Sequence, residues 1–319
     1  MPRARILCLT LALGATLPAP GSSQAPDEPS RRGLVRAVRA PQRPDIDGVL
    51  DEAFWAGIEP ITDFKQWEPV EGGEPTEGTE VRIAYDEHAL YFGMLMRDSD
   101  PSAIRRSILQ REGRIDQDDR VLIALDTYHD GRNAYVFELN AFGTQGDALI
   151  SDESMTHDDW NWEGVYESEG RITDEGWVLE VAIPFTTIRF SDAAEPEMGL
   201  AFYRHIRRKN EELTWPHIPQ RFRSGIFQVS QYATLTGLAG LRHGRYAEVK
   251  PFAIAGAQKL GGQADTDILD DAGVDAKVSL TSNLTLDLTW NTDFAQVESD
   301  NVQVNLTQYS LFFPEKREF

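Results

Sequence analysis

Four tryptophans lie in segments that the sequence pattern assigns to loops or to strand ends: Trp67, Trp160, Trp162 and Trp215. A flat aromatic ring in such a position can stack on the apolar face of a pyranose ring. Loops carry binding groups more often than strands do. These four residues are therefore the predicted stacking groups, whereas the remaining tryptophans occupy apolar periodic faces and are expected in a core or facing lipid.

Sugar hydroxyl groups also need fixed hydrogen-bond donors and acceptors. Arg114, Gln117, Asp118 and Asn140 stand at the ends of predicted strands and carry the required groups. The alternative for each of them is a solvated turn residue. Together with the four tryptophans they form the predicted carbohydrate-binding set.

The sequence contains no recognisable catalytic constellation. It has no Gly-x-Ser-x-Gly, no His-Glu-x-x-His and no phosphate-binding loop, and its six histidines are scattered without metal-ligand spacing. We therefore expect a binding protein with no catalytic residues and no catalytic metal. An association with glycoside hydrolase activity in carbohydrate catabolism is the alternative.

The charge of the chain restricts the partners it can have. Its 31 basic and 52 acidic residues give a formal net charge of −21. A surface this acidic repels phosphate backbones, which argues against nucleic acid and suits a neutral oligo- or polysaccharide or a cation. Acidic clusters at 116–119 and 152–159 are candidate sites for a structural calcium ion, the alternative being ordinary acidic loops, and no cofactor is required.

The N-terminal segment has the features of an export signal. Two arginines precede an apolar run over Ile6–Leu17, and small residues at Ser23-Gln24-Ala25 suit a signal peptidase. Residues 1–25 are therefore a predicted signal peptide, and 26–33 a linker. Cys8, the single cysteine, lies in the signal, so the mature chain has no disulfide. We expect the protein in the periplasm, at the outer membrane or on the cell surface.

Between residues 34 and 241 the hydrophobic pattern has a period of two. Short runs of this kind, separated by Gly, Asp and Asn turns, predict an antiparallel β-sandwich. The clearest runs are 81–97, which reads as a hairpin, and 121–125, 135–139, 177–183 and 199–206. Helical periodicity is confined to a turn at 51–56, with Asp51 as the expected N-cap, and to 101–110.

The pattern changes near residue 245. Segments 246–257 and 273–293 alternate strictly over about ten residues and have an aromatic residue towards one end, as outer-membrane β-strands do. One more soluble hairpin is the alternative. A closed barrel needs about eight strands or more, and only about three are recognisable here, so residues 245–319 are predicted to begin a barrel without completing it.

Two stretches of sequence resemble known families. Ile46-Asp47-Gly48-Val49-Leu50-Asp51-Glu52-Ala53-Phe54-Trp55, followed by the hairpin at 81–97, resembles the N-terminal edge of the family 9 carbohydrate-binding module. The segments 291–298 and 311–317 resemble the opening of an uncharacterised barrel-like domain of the DUF5916 type, which commonly follows that module in bacterial envelope proteins.

The resemblance implies an all-β protein. It places an antiparallel β-sandwich of the jelly-roll type, family 9 or DOMON-like, over residues 34–241, followed by the first strands of an incomplete β-barrel over 245–319. It also implies non-catalytic carbohydrate binding by an exported envelope protein, in glycan capture or catabolism. Family members hold their ligand between two tryptophans, but here Ile115 stands at the first position and Gln220–Ser224 contains no tryptophan at the second.

Two other functions are compatible with the sequence. In the first, the barrel is the working part of an outer-membrane transport protein and the sandwich is a plug or docking domain. In the second, the sandwich binds haem as related folds do, with Met94 or Met96 and His205 as axial ligands.

Overall fold

The structure is a computed structural model that describes residues 33–153, 159–160, 162–242, 247–258, 267–281 and 284–291. The predicted signal peptide, the linker up to residue 32 and the segment 292–319 lie outside the described residues. Within the described part, no helix is long and apolar enough to cross a membrane.

The described part of the chain contains sixteen β-strands. In chain order they are β1 (Leu34–Arg36), β2 (Val38–Arg39), β3 (Lys65–Glu68), β4 (Thr79–Tyr85), β5 (Ala89–Arg97), β6 (Arg120–Asp126), β7 (Ala134–Asn140), β8 (Gln145–Ile150), β9 (Glu167–Thr173), β10 (Gly176–Pro184), β11 (Met198–Ile206), β12 (Glu211–Trp215), β13 (Ala233–Thr236), β14 (Ala247–Gln258), β15 (Asp267–Thr281) and β16 (Leu284–Trp290).

Thirteen of these strands form two sheets that stack on one core. The larger sheet has eight strands in the order β1-β13-β11-β6-β7-β8, with β12 and β3 continuing from β11, and the smaller has five in the order β2-β4-β5-β10-β9. Alternate residues of both sheets meet in the core, among them Phe92, Phe137, Leu179 and Phe202. The predicted all-β sandwich is confirmed, and so is the hairpin, as β4 paired with β5.

Two edge pairs are parallel, although a wholly antiparallel sandwich was expected. β1 joins β13 of the larger sheet and β2 joins β4 of the smaller sheet, both in parallel register. Ala37 lies between them and is buried in the core. One extended segment therefore crosses from the edge of one sheet to the edge of the other, which the alternation pattern does not reveal.

The helical structure of the described residues consists of six short 3₁₀ turns: Trp55–Gly57, Pro101–Ala103, Ile115–Gln117, Arg207–Lys209, Gly225–Phe227 and Val229–Gln231. The expected turn at 51–56 is a single 3₁₀ turn over Trp55–Gly57 without a side-chain cap, so the prediction that Asp51 caps it is wrong. In the second region only Pro101–Ala103 is 3₁₀ helix. Residues 104–110 are irregular, because their backbone groups bond to Asp118 and Asp119.

The Asp47-Gly48 turn closes over a buried carboxylate. The amides of Asp47, Gly48 and Val49 donate to Oε2 of Glu180 on β10, at 3.0, 2.9 and 3.2 Å. Gly48 has φ +78°, a conformation that glycine adopts without strain. Leu50 and Trp55 then pack over the outer face of the smaller sheet. The turn itself was predicted; its partner, about 130 residues away, was not.

The last three strands form a separate antiparallel sheet, β14-β15-β16. The register pairs Trp290, Leu288 and Leu286 with alternate residues of β15, so one face of this sheet is apolar. Val249, Leu286, Leu288 and Trp290 on this face are 63%, 40%, 54% and 68% exposed. The predicted alternation is confirmed, and the described strands do not close into a barrel.

Candidate functional site

Polar side chains from four adjacent strands meet on the outer face of the larger sheet. We call this set the polar patch: Arg120 on β6, Glu138 on β7, Tyr203 and His205 on β11, and Glu212 on β12. His205 lies directly opposite both Arg120 and Glu212 in the ladder. Leu122 lies between Tyr203 and Glu138 in the next row.

Strand alternation explains why these side chains face away from the core. Phe202 and Ile206 of β11 point into the core between the sheets. Tyr203 and His205 must therefore point to the opposite face. Tyr203 packs there in a second hydrophobic cluster with Ala201 and Ile226. The polar patch thus lies beside an apolar cluster covered by the 226–232 segment.

An ion pair, a cation–ring contact and a ring–ring contact connect the members of the polar patch. Arg120 forms an ion pair with Glu138, and its guanidinium carbon lies 5.7 Å from the centroid of the Tyr203 ring. The rings of Tyr203 and His205 are 6.5 Å apart. The phenol of Tyr203 also interacts with the carboxylate of Glu212. A guanidinium, two carboxylates, a phenol and an imidazole therefore share one surface.

The local environment sets the protonation states in the patch. Burial, followed by the charge of Arg120, lowers the pKa of His205 to about 4, so its imidazole is neutral at neutral pH. Burial raises the pKa of Glu138, while Arg120 opposes the shift. Burial also raises the pKa of Glu212, and the charge of Glu68 adds to the shift. A neutral imidazole and carboxyl groups with raised pKa keep the net charge of the patch small, which favours hydrogen bonding to an uncharged ligand.

Several donors and acceptors of this region are unused. Nε of Arg120, both ring nitrogens of His205 and Nε1 of Trp67 have no hydrogen-bond partner among the described residues. A buried polar group without a partner costs about 1–3 kcal/mol. These atoms lie beneath the surface, so hydroxyl groups of a ligand, which both donate and accept, could reach them only if the side chains above them moved aside.

Trp67 is the predicted tryptophan that borders the polar patch. It belongs to β3, which pairs with β12, the strand of Glu212. A methyl group built on Gly225 would lie 3.5 Å from the Trp67 ring, and the next residue, Ile226, packs in the same cluster as Tyr203. Trp67 is half-buried and lies on the strand next to that of Glu212.

Arg114 and Gln117 lie at the rim of the patch. Arg114 directly precedes the 3₁₀ turn Ile115–Gln117, and Gln117 is its last residue. Arg114 forms an exposed ion pair with Asp116 at 3.7 Å, and Gln117 donates to the same carboxylate at 2.7 Å. The charge of Asp116 acts on both Glu138 and His205, which places this turn next to them.

Asp118 and Asn140 fasten a loop instead of facing a ligand. Both are fully buried. Asp118 accepts the amides of Ser107 and Ile108 at 2.8 and 2.9 Å and Nδ2 of Asn140 at 3.0 Å. Burial alone would raise the pKa of Asp118, but these hydrogen bonds hold it below the ordinary value. Their contacts give both residues a positioning role.

The other three tryptophans lie elsewhere. Trp215 is 5% exposed and packs on Phe202 in the core, because β12 continues to this residue and turns it inward; the prediction of a rim ring is wrong there. Trp162 packs on Phe137 at 5.9 Å, on the core side of the larger sheet. Trp160 is 41% exposed.

The haem alternative is contradicted by the topology. Met94 and Met96 are buried in the core between the sheets, whereas His205 points to the outer face of the larger sheet. One haem cannot have both as axial ligands. In the described ranges, no three His, Cys, Asp or Glu side chains are grouped to hold a metal ion, and Asp158 of the second acidic cluster lies outside them.

Sequence reasoning missed four members of the polar patch and considered the fifth, His205, only as a haem ligand. Each is a polar residue inside or at the end of a period-two strand, as Glu138 is between Phe137 and Leu139. A polar residue in an apolar strand indicates a partner elsewhere in the fold, because burying a charge is costly unless it is paired. Their meeting on one face depends on the strand order, which the sequence does not show.

Family models match two parts of the sequence. Residues 46–213, more than half of the chain, match the family described as carbohydrate family 9 binding domain-like. The chain belongs to this family. Residues 247–319 match a domain of unknown function, DUF5916. Every member of the polar patch lies within the family 9 domain.

Solved structures similar to this family 9 chain include two complexes of a family 9 carbohydrate-binding module from Caldicellulosiruptor kristjanssonii. The cellotriose complex has a TM-score of 0.45 and 13% identity, covering 64% of this chain and 93% of the other. The glucose complex has a TM-score of 0.46 and 13% identity, covering 64% and 95%.

A third similar structure is a candidate carbohydrate-binding protein from Bacteroides uniformis. It has a TM-score of 0.48 and 16% identity, covering 64% of this chain and 99% of the other. A search of the curated proteins found no match.

Proposed function

We propose that this family 9 chain binds carbohydrate without catalysis and that the polar patch is the binding surface. The observation that carries the proposal is the cluster of polar side chains on the outer face of the larger sheet, with Trp67 on the strand next to Glu212, in which buried nitrogens of Arg120 and His205 have no partner among the described residues. Sugar hydroxyls would form hydrogen bonds with these side chains, and the half-buried indole offers an apolar edge to the ring. The binding role of the family supports the same conclusion.

A tyrosine pair tests this proposal. Tyr203→Phe removes one hydroxyl from the patch and keeps the ring. A hydrogen bond contributes about 0.5–1.5 kcal/mol, so we expect affinity for cellohexaose to fall about 2- to 13-fold in calorimetric titration of the whole chain. Tyr91→Phe is the matched control, because it removes a buried hydroxyl bonded to Asp86 near the smaller sheet. Equal effects of both variants, or no binding by the unaltered chain, would refute the proposal.

We further propose that the protein is exported and acts at the cell envelope in glycan capture or catabolism. The predicted signal peptide supports export. The apolar face of β14–β16 supports contact with lipid, since Val249, Leu286, Leu288 and Trp290 project from it exposed. An outer-membrane barrel in which the sandwich docks as a plug is the second candidate function, and this same face favours it.

Membrane fractionation tests the envelope location. We expect the chain, expressed in a Gram-negative host, to sediment with outer membranes. A charge on a lipid-facing strand position costs about 2–4 kcal/mol at the bilayer midplane, so Leu288→Lys should shift it towards the soluble fraction. Thr289→Lys, on the opposite face of β16, should not. An equal distribution of both variants would contradict lipid contact by this face.

A further inference from the structure

Three arginines beside the polar patch have no ion-pair partner among the described residues: Arg105, Arg106 and Arg207. Cations without an ion-pair partner are unexpected in a chain with a net charge of −21. The neighbouring Arg208, by contrast, pairs with Glu77 and Asp98 at 2.9 and 2.5 Å. Arg105, Arg106 and Arg207 therefore keep a positive charge that no carboxylate of the described residues pairs with.

One buried carboxylate holds two of these arginines together. Oδ2 of Asp119 accepts the backbone amide of Arg105 at 2.7 Å, and Oδ1 accepts that of Arg207 at 3.1 Å. Asp119 is 3% exposed and uses both oxygens on backbone donors. Its charge is thus directed inward, while the side chains of Arg105 and Arg207 are left free to bind an external anion.

The third arginine is fixed by an aromatic ring. The guanidinium carbon of Arg106 lies 4.8 Å from the centroid of Phe142. A cation over a ring face is attracted by the ring quadrupole and keeps its N–H edges available. Phe142 is in turn held by its amide, which donates to Asn140.

The arginines adjoin the strands that carry the polar patch. Arg207 directly follows β11, which contributes Tyr203 and His205, and the charge of Arg207 acts on His205. Asp119 directly precedes Arg120 at the start of β6. A ligand lying on the patch therefore extends towards the arginines at the same end of the sheet.

We propose that Arg105, Arg106 and Arg207 bind the carboxylates of a uronic acid polysaccharide while a neighbouring sugar unit occupies the polar patch. Guanidinium groups recognise carboxylates through paired N–H donors. The inference rests on the proposed carbohydrate binding and specifies its substrate class. Continuity with the patch favours a glycan over a phosphate headgroup, since the apolar face suited to lipid is in a different sheet.

Two hexasaccharides and two double variants of the whole chain test the inference. We expect calorimetry to show tighter binding of hexagalacturonate than of cellohexaose. Arg105→Ala with Arg207→Ala should lower affinity for hexagalacturonate tenfold or more and change that for cellohexaose less than twofold. Both substitutions leave the backbone bonds to Asp119 intact, and a thermal melt confirms folding.

Arg36→Ala with Arg39→Ala is the matched control, because it removes the same charge elsewhere. These residues belong to β1 and β2, and β1 connects through β13 to the Met198–Leu200 end of β11, away from Arg207. We expect this variant to bind both hexasaccharides as the unaltered chain does.

Other outcomes separate the two proposals. Equal binding of both hexasaccharides, unaffected by the arginine variant, would overturn the acidic-glycan inference and leave carbohydrate binding intact. No binding of either would overturn both. Binding to phosphatidylglycerol vesicles through the same arginines, without binding hexagalacturonate, would replace the glycan with a lipid headgroup.

Discussion

The two outer faces of the sandwich each bury a glutamate, and they satisfy it in different ways. Glu180 of the smaller sheet is fully buried and receives three backbone amides from residues 47–49. Glu138 of the larger sheet is 6% exposed and is paired with the side chain of Arg120. Burial raises the pKa of both carboxyl groups.

The difference separates a structural site from a binding surface. Backbone donors come from a loop that covers the carboxylate, and Trp55 completes the cover over the smaller sheet. Side-chain pairing on the larger sheet leaves Arg120, Glu212 and Trp67 partly exposed, and the buried Nε of Arg120 has no partner among the described residues. The smaller sheet is thus covered by a loop of its own chain, whereas the larger sheet presents the partly exposed side chains of Arg120, Glu212 and Trp67. We call these outer faces the sealed face and the open face, respectively.

The largest expected effect is on the open face. Arg120→Ala leaves Glu138 buried without its partner, and breaking a buried ion pair typically costs about 3–5 kcal/mol. Because the Arg120 side chain is 20% exposed, we expect about 2–4 kcal/mol in urea unfolding. Arg43→Ala, which breaks an exposed pair with Glu167, should cost less than about 1 kcal/mol. Similar losses for both would show that the Arg120–Glu138 pair is solvated.

The next effect is a pH dependence on the sealed face. Burial, opposed by the amides of Asp47, Gly48 and Val49 and reinforced by the charge of Glu52, raises the pKa of Glu180 to about 7 from an ordinary 4.5. The folded state thus holds this proton more tightly than the unfolded state. The stabilisation is complete below about pH 4.5 and is lost as the pH rises towards 7.

Glu180→Gln isolates this contribution. Its amide nitrogen can occupy the place of Oε1, which has no partner in the described part of the chain, while its oxygen accepts the loop amides. We expect the difference in unfolding free energy between pH 5 and pH 8 to shrink by about 2–3 kcal/mol, from the size of the shift. An unchanged pH profile would show that Glu180 ionises normally.

Gly48→Ala probes the cover of the sealed face. At φ +78° an added Cβ is strained, and it would also lie 3.2 Å from Cβ of Arg171. We expect a loss of about 1–2 kcal/mol in thermal unfolding. Gly57→Ala is the matched control, because nothing lies within 4 Å of the added atom. A tolerated Gly48→Ala would mean that the loop is free to move off Glu180.

The smallest effect belongs to the open face. Glu212 is half-buried, and its pKa is raised by burial and by Glu68. Glu212→Gln should change stability by less than about 0.5 kcal/mol, as substitutions on open surfaces do, yet weaken glycan binding in the same sample. A stability loss well above that limit, without a binding change, would make this face structural as well.

Much of the fold could be predicted because burial imposes a period of two. The 177–183 run, with Glu180 facing away, is found in β10 as expected. The inward orientation of Trp215 was not predicted, because a residue before a proline was expected at a strand end on the rim, whereas β12 continues up to Trp215. The polar patch was not predicted for a different reason. Its residues are up to 92 positions apart in the sequence, from Arg120 to Glu212, and only the strand order brings them together.

Hydrogen–deuterium exchange of the whole chain, with and without saturating cellohexaose, tests most directly whether the polar patch binds carbohydrate. Binding at the polar patch predicts slower exchange in β12, which carries Glu212, and in the 3₁₀ turn Ile115–Gln117 at the rim of the patch. Exchange in the 47–49 loop should be unchanged. Slower exchange confined to the smaller sheet or to residues around Trp160, with β12 unaffected, would contradict the assignment of the larger sheet as the ligand surface.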